Sequence, residues 1–153
     1  NIAFSLGAVV ALVHDTLIIM GLFSLLKNIM PFSMEIDQSF IAAILTVIGY
    51  SINDKVVIFD RIRETVGLYP NRDKRTTINE ALNSTLSRTF STSMSTLVVL
   101  IIIFFFGGET IRGFIFAMLI GVIIGTYSSW FIATPIAYDM LKGGDAKAAE
   151  ERK

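Results

Sequence analysis

Four long apolar runs, over residues 2–26, 39–59, 86–106 and 111–141, leave this chain of 153 residues few ways to fold. Each is about as long as, or longer than, the roughly 20 apolar residues a helix needs to cross a bilayer. None alternates apolar with polar as a barrel strand does, so the backbone N–H and C=O groups must be satisfied within helices. Only 17 % of the residues are charged, against about 25 % in soluble domains, and the mean hydropathy is +0.65. The expected fold class is an all-α membrane protein with four transmembrane helices.

Composition also removes several chemistries. The formal net charge is zero, so bulk electrostatics offers nothing to nucleic acid. The absence of Cys excludes disulfides, thiolate metal sites and a Cys nucleophile, and one His is too few for a His-based metal cluster. No cofactor and no metal is expected. Asn1 stands where an initiator Met would be, so the chain reads as part of a larger protein. The first run lacks the basic stretch and cleavage site of a signal peptide.

The connections differ in charge. Residues 27–38 hold one cation, Lys27, and the Gly107–Gly108 turn is shorter still. Residues 60–85 carry Arg61, Arg63, Arg72, Lys74 and Arg75. The tail, residues 142–153, carries Lys142, Lys147, Arg152 and Lys153. In a four-helix layout the cation-rich loop and tail lie on one side, which the positive-inside rule places in the cytoplasm together with both ends of the chain. Within the 60–85 loop, residues 67–71 read as a turn. Thr77 and Glu80 have capping-box spacing. Ile78, Leu82 and Leu86 then predict a short amphipathic cytoplasmic helix leading into the third span.

Polar groups inside the spans are the candidate functional residues. A carboxylate part-way into a hydrophobic helix costs roughly 2.5–3.5 kcal/mol on insertion scales. Asp54 lies six residues before the charged Asp60, about 9 Å at helical rise, and Asp is too short to reach water easily. Thr46, Tyr50, Asn53, Asp54 and Val57 form a stripe on one face of the second helix. Lys55 has a long stem and is expected to be a solvated cation. In the third span Arg88, Ser91, Thr92 and Ser95 share a face. Arg88 enters from the side and depth of Asp54, and its guanidinium stays charged, which makes it a candidate fixed counter-charge. His14 and Asp15 sit mid-helix in the first span, either as a hydrogen-bonded pair that fixes helix packing or as proton-handling groups, and with Asn53 form a candidate secondary polar site. In the fourth span Gly113, Ala117, Gly121, Gly125, Ser129, Ala133 and Ala137 recur at steps of four, with a GxxxG at Gly121–Gly125. This is a helix-packing stripe.

Four ordered motifs carry a resemblance that covers almost the whole chain. They are ALVHD (Ala11–Asp15), GYSINDKVVIFDRIRE (Gly49–Glu64), LSRTFSTSMSTL (Leu86–Leu97) and GTYSSWFIATP (Gly125–Pro135). Together they resemble the SecF branch of the SecD/SecF protein-export family, within the resistance-nodulation-division (RND) superfamily. The resemblance implies the last four helices of a six-helix bundle of RND type. It also implies a bacterial cytoplasmic (inner) membrane location, and use of the proton-motive force, with protons as the coupling ion, to assist polypeptide export. The partners implied are SecD (separate or fused), the SecYEG channel, SecA-driven preproteins and membrane lipid. By the same resemblance the proton-relay carboxylate falls on Asp54 and its arginine on Arg88, with Thr92 nearby. One departure is Lys55, where the family more often has Thr.

Two other readings compete. An RND-superfamily exporter of lipids or drugs would share the layout, but GYSIND and TYSS favour the Sec branch. An intramembrane aspartyl protease would use Asp54 and Asp139. Asp139 lies near the cytoplasmic end of its span, and no Gly-x-Gly-Asp precedes a second carboxylate. A transport subunit, not an enzyme, is the expectation.

Overall fold

In a computed structural model, the residues described, 2–32 and 34–151, form long helices. Of the tail cations, Arg152, Lys153 and the side chain of Lys147 lie outside the described residues. The helices are α1 (Ile2–Leu26), α2 (Gln38–Leu68), α3 (Lys74–Phe106), α4 (Glu109–Ser128) and α5 (Thr134–Glu150). A π-helical turn, Ser129–Ala133, joins α4 to α5, so the two form one continuous fourth span. Four spans are long and apolar enough to cross a membrane. Their outward faces carry large apolar side chains such as Val9, Val13, Leu17, Val98, Ile102, Phe105 and Phe131, as lipid-facing helices require.

The spans match the apolar runs, but the loop expected over residues 60–85 is mostly helix. Helix α2 runs on to Leu68 and α3 starts at Lys74. An amphipathic sequence continues a helix out of the bilayer as readily as it starts a new one. The buried Ile62, Thr65, Ile78 and Ala81 keep this extension packed. The expected short amphipathic helix is therefore the first turns of α3. The expected Thr77–Glu80 capping box does not form. Asp73 is the N-cap, its Oδ2 accepting from the Thr76 N–H at 3.3 Å, and Glu80 instead pairs with Arg72 at 2.5 Å. The tail likewise continues α5 as far as Glu150.

Packing follows small residues. Helix α1 buries Ala3, Gly7, Ala11, Asp15, Ile19 and Phe23 at steps of four. A Cβ on Gly7 would lie 2.7 Å from the Ala133 carbonyl oxygen, so only Gly permits this approach to the π turn. Helix α4 presses Gly121 onto Val47 of α2, where a Cβ would fall on the valine side chain.

Three apolar clusters result, one of Leu100, Ile115 and Val122 between α3 and α4 and two larger ones. One of the larger contains Ala11, Ile58, Phe59, Ile62, Ile78, Ala81, Ala133 and Ala137. The other contains Ile19, Phe23, Met34, Phe40, Ala43, Val47 and Ala117. Along each of α1, α2 and the fourth span, the residues between the two larger clusters include buried polar ones: Asp15, Ser51, Asp54, Lys55, Ser128 and Ser129.

Candidate proton-handling site

The polar layer is built from three helices. Ser51 and Lys55 are one turn apart on α2 and therefore share a face. Asp15 comes from the middle of α1, and Ser128 from the last residue of α4. Gly125 brings them together: a Cβ there would lie 3.1 Å from Ser51 Oγ, so its absence lets α2 and α4 close on each other. The π turn that follows adds a residue to the helical repeat. Ser128, which precedes the turn, and Ser129, its first residue, are both buried. Ser129 Oγ donates to the Gly125 carbonyl at 2.8 Å, and Thr134 Oγ1 donates five residues back, to the Ser129 carbonyl, at 2.8 Å.

Asp15 is the acceptor at the centre. Its Oδ2 receives Ser128 Oγ at 2.9 Å, Ser51 Oγ at 3.1 Å and Lys55 Nζ at 3.4 Å. Its Oδ1 lies 3.3 Å from His14 Nδ1. Lys55 Nζ also donates to Ser128 Oγ at 3.2 Å and to Ser51 Oγ. An ammonium has three N–H donors, and these three acceptors match them. Lys55 is 1 % exposed and Asp15 2 %. Burying two charges without water requires this degree of mutual satisfaction.

The expectation of a solvated Lys55 is thus overturned. Its stem does not run toward the interface but lies along α2 toward Asp15, where a carboxylate and two hydroxyls replace water. A lysine inside a span stays buried when a carboxylate on a neighbouring helix lies within reach.

Asp54, the next residue along from this charge on the α2 side, is 6 % exposed, and its Oδ2 is buried with no hydrogen-bond partner. The charges of Lys55 and Arg88 both act on it. Arg88 does not form an ion pair with Asp54; it is exposed on α3. It lines a cleft of about 280 Å³ between α2 and α3 together with Val57, Asp60, Arg61, Glu64, Ser84 and Thr85. Ser91, Thr92 and Ser95 are exposed on α3 as Arg88 is, and so is Asn53 on α2. Of the expected α2 stripe, Asp54 is buried, Tyr50 and Val57 are half-buried, and Thr46 is exposed. His14 is half-buried beside Asp15. Gly121, Gly125 and Ser129 are buried between helices. Asp139 is exposed on α5, and no hydrogen bond or ion pair joins it to Asp54.

A second polar chain crosses from α2 to α3 to α4. Tyr50 OH donates to Ser93 Oγ at 3.4 Å, and Ser93 Oγ lies 2.7 Å from Thr126 Oγ1. Sequence reasoning missed Ser51, Ser93, Thr126 and Ser128 as site residues. Hydroxyls in membrane helices commonly bond their own backbone, as Thr16, Thr46, Ser95 and Thr96 do here. The available signal was position: Ser51 precedes Lys55 by one turn, and Ser128 follows the Gly121–Gly125 pair.

Residues 1–143 match the family model described as protein export membrane protein SecD/SecF, C-terminal. The chain is 54 % identical over 150 residues to protein translocase subunit SecF of Rhodothermus marinus, covering 98 % of this chain and 47 % of that protein. It is 48 % identical over 134 residues to the subunit of the same name from Haemophilus influenzae, covering 88 % of this chain and 39 % of the relative. The chain therefore spans less than half the length of these curated relatives. Among solved structures, it is similar to a crystal structure of SecDF in a super-membrane-facing form, with TM-score 0.86 and 36 % identity over 97 % of this chain and 20 % of that one. It is also similar to SecDF of Thermus thermophilus, described as translocon-associated, with TM-score 0.80 and 37 % identity over 92 % of this chain and 19 % of that one.

Proposed function

From the premise that this chain belongs to the SecD/SecF protein-export membrane family, we propose that it is part of a subunit of the Sec export apparatus that uses the proton-motive force to assist polypeptide translocation. The observation that carries the reading is Asp54, a carboxyl buried within a span with Oδ2 unpartnered. A buried polar atom normally finds a partner. One that does not, on an ionisable side chain inside a membrane helix, is a functional-site candidate by default. Asp54 alternates between a protonated form and an ionised form that draws Arg88 inward from the α2–α3 cleft. The cleft, lined by Asp60, Arg61 and Glu64, supplies the water path by which the proton leaves. Each proton moved across the membrane provides roughly 2.3 kcal/mol per 100 mV, enough to bias a contact between α2 and α3 and to move whatever is attached to those helices.

The exposed polar face of Arg88, Ser91, Thr92 and Ser95, with Asn53, is unsuited to lipid. We assign it to contact with SecD, whether separate or fused. SecYEG and SecA-driven preproteins are the remaining partners of this reading. The location is the bacterial cytoplasmic membrane with the 60–85 segment and both ends of the chain inside. The role is transport rather than catalysis, with protons as the coupling ion and no cofactor.

The test is export in cells that depend on the full-length protein. Asp54→Asn keeps the side-chain shape and removes titration, so precursor should accumulate at normal protein abundance. Arg88→Ala should do likewise, and the double variant should be no worse than either single one. Normal export by Asp54→Asn protein contradicts the relay.

A further inference from the structure

The Asp15–Lys55 pair adds a charged group to the site that the Asp54–Arg88 reading does not use. Lys55 is held at all three of its N–H groups, by Asp15 on α1, Ser51 on α2 and Ser128 on α4. An ammonium so fixed cannot turn away. Asp54 is the adjacent residue, also buried, with an oxygen left without a partner. We propose that Lys55, anchored by Asp15, Ser51 and Ser128, is a positioning residue of the proton relay, providing the fixed cation beside Asp54 while the exposed Arg88 is the movable one.

Charge counting supports the assignment, which rests on the relay reading above. The groups facing this region come from every element packed against α2. Helix α1 offers His14 and Asp15. Helix α3 offers Arg88, which is exposed. The charged residues of α4, Glu109 and Arg112, belong to its first turn, at the opposite end from Ser128, and the π turn has no charged residue. The buried set is thus two carboxylates, Asp15 and Asp54, and one ammonium. With Asp15 and Lys55 neutralising each other, the set is electroneutral only when Asp54 carries a proton. When that proton leaves for water in the α2–α3 cleft, the set holds one uncompensated negative charge. The charge within reach to offset it is Arg88. Lys55 therefore sets how readily Asp54 ionises, and Arg88 responds when it does.

The experiment uses the full-length protein with SecD in membrane vesicles, following proton-driven preprotein translocation as a function of pH. Lys55→Met keeps the stem and removes the charge, while Ser51 and Ser128 still bond Asp15. Removing a nearby cation disfavours the carboxylate, so the pH of half-maximal stimulation should move about one unit toward alkaline values, a tenfold change in proton concentration. Lys55→Arg, which keeps the charge, should return the midpoint toward that of the unaltered protein. If Lys55→Met lowers abundance, Lys55→Gln, which removes the charge and keeps an N–H donor toward Asp15, is measured instead with the same expectation. An unmoved midpoint in the variant measured overturns the assignment of Lys55. Full proton-driven stimulation in Asp54→Asn would overturn the relay itself, and with it this inference. Loss of stimulation in Asp54→Asn together with an unmoved midpoint in the Lys55 variant would overturn only the role of Lys55.

Discussion

Lys55 Nζ lies 3.4 Å from Asp15 Oδ2, joining α1 to α2 across 40 positions of sequence inside the apolar bundle. A buried pair of this kind adds little net stability compared with apolar side chains, yet breaking it leaves one charge stranded. Asp15→Asn should therefore destabilise the protein by roughly 3–5 kcal/mol. Ser128→Ala removes one hydroxyl from the same acceptor and should cost less, about 1–3 kcal/mol. Thermal unfolding of detergent-purified full-length protein measures both. Equal melting of Asp15→Asn and unaltered protein would show that the pair is not formed.

The contact between α2 and α4 depends on two glycines. A side chain at Gly121 meets Val47, and one at Gly125 meets Ser51 at 3.1 Å. Gly121→Leu and Gly125→Leu should each reduce assembled protein, at the upper end of the roughly 1–3 kcal/mol typical of overpacking. Gly49→Ala is the control, because nothing lies within 4 Å of a Cβ built there. Gel filtration after mild solubilisation separates the outcomes. Normal yield and elution of the two leucine variants would refute the packing role.

The proposed orientation rests on where the cations gather. Arg72 lies between α2 and α3, and Glu109 begins α4 after the Gly107–Gly108 turn. In intact cells, a membrane-impermeant thiol reagent should label Glu109→Cys and leave Arg72→Cys unlabelled until the membrane is opened. The reverse pattern would invert the topology.

Much of the architecture was legible because span length and hydropathy are properties of a single helix. The four apolar runs became the four spans. The small-residue stripe of the fourth span became its buried face. Helix ends were less legible. The charge at residues 60–64 does not stop α2, which runs on to Leu68, since Arg and Glu are good helix formers. Facing was the least legible property. Lys55 looked like a snorkelling cation because, seen on α2 alone, its only escape is along its own helix. Asp15 lies 40 residues away, and nothing local says that the two faces meet. Arg88 shows the same limit in the other direction. Its depth suits Asp54, but the helix rotation that exposes it is set by packing of Thr85, Thr89 and Ser93 against the bundle. The π turn was also hidden, because no Pro or Gly within Ser129–Ala133 announces it.

The role proposed for Asp54 is to take up and release the proton that drives transport. Its most direct test is proton flux in proteoliposomes containing full-length protein and SecD, with a pH-sensitive dye inside and an imposed pH gradient and membrane potential. The unaltered protein should move protons at a rate that rises with the imposed force, and Asp54→Asn should fall to the leak of protein-free vesicles while reconstituting at equal density. Proton flux in the Asp54→Asn vesicles equal to that of the unaltered protein would rule out Asp54 as the proton carrier.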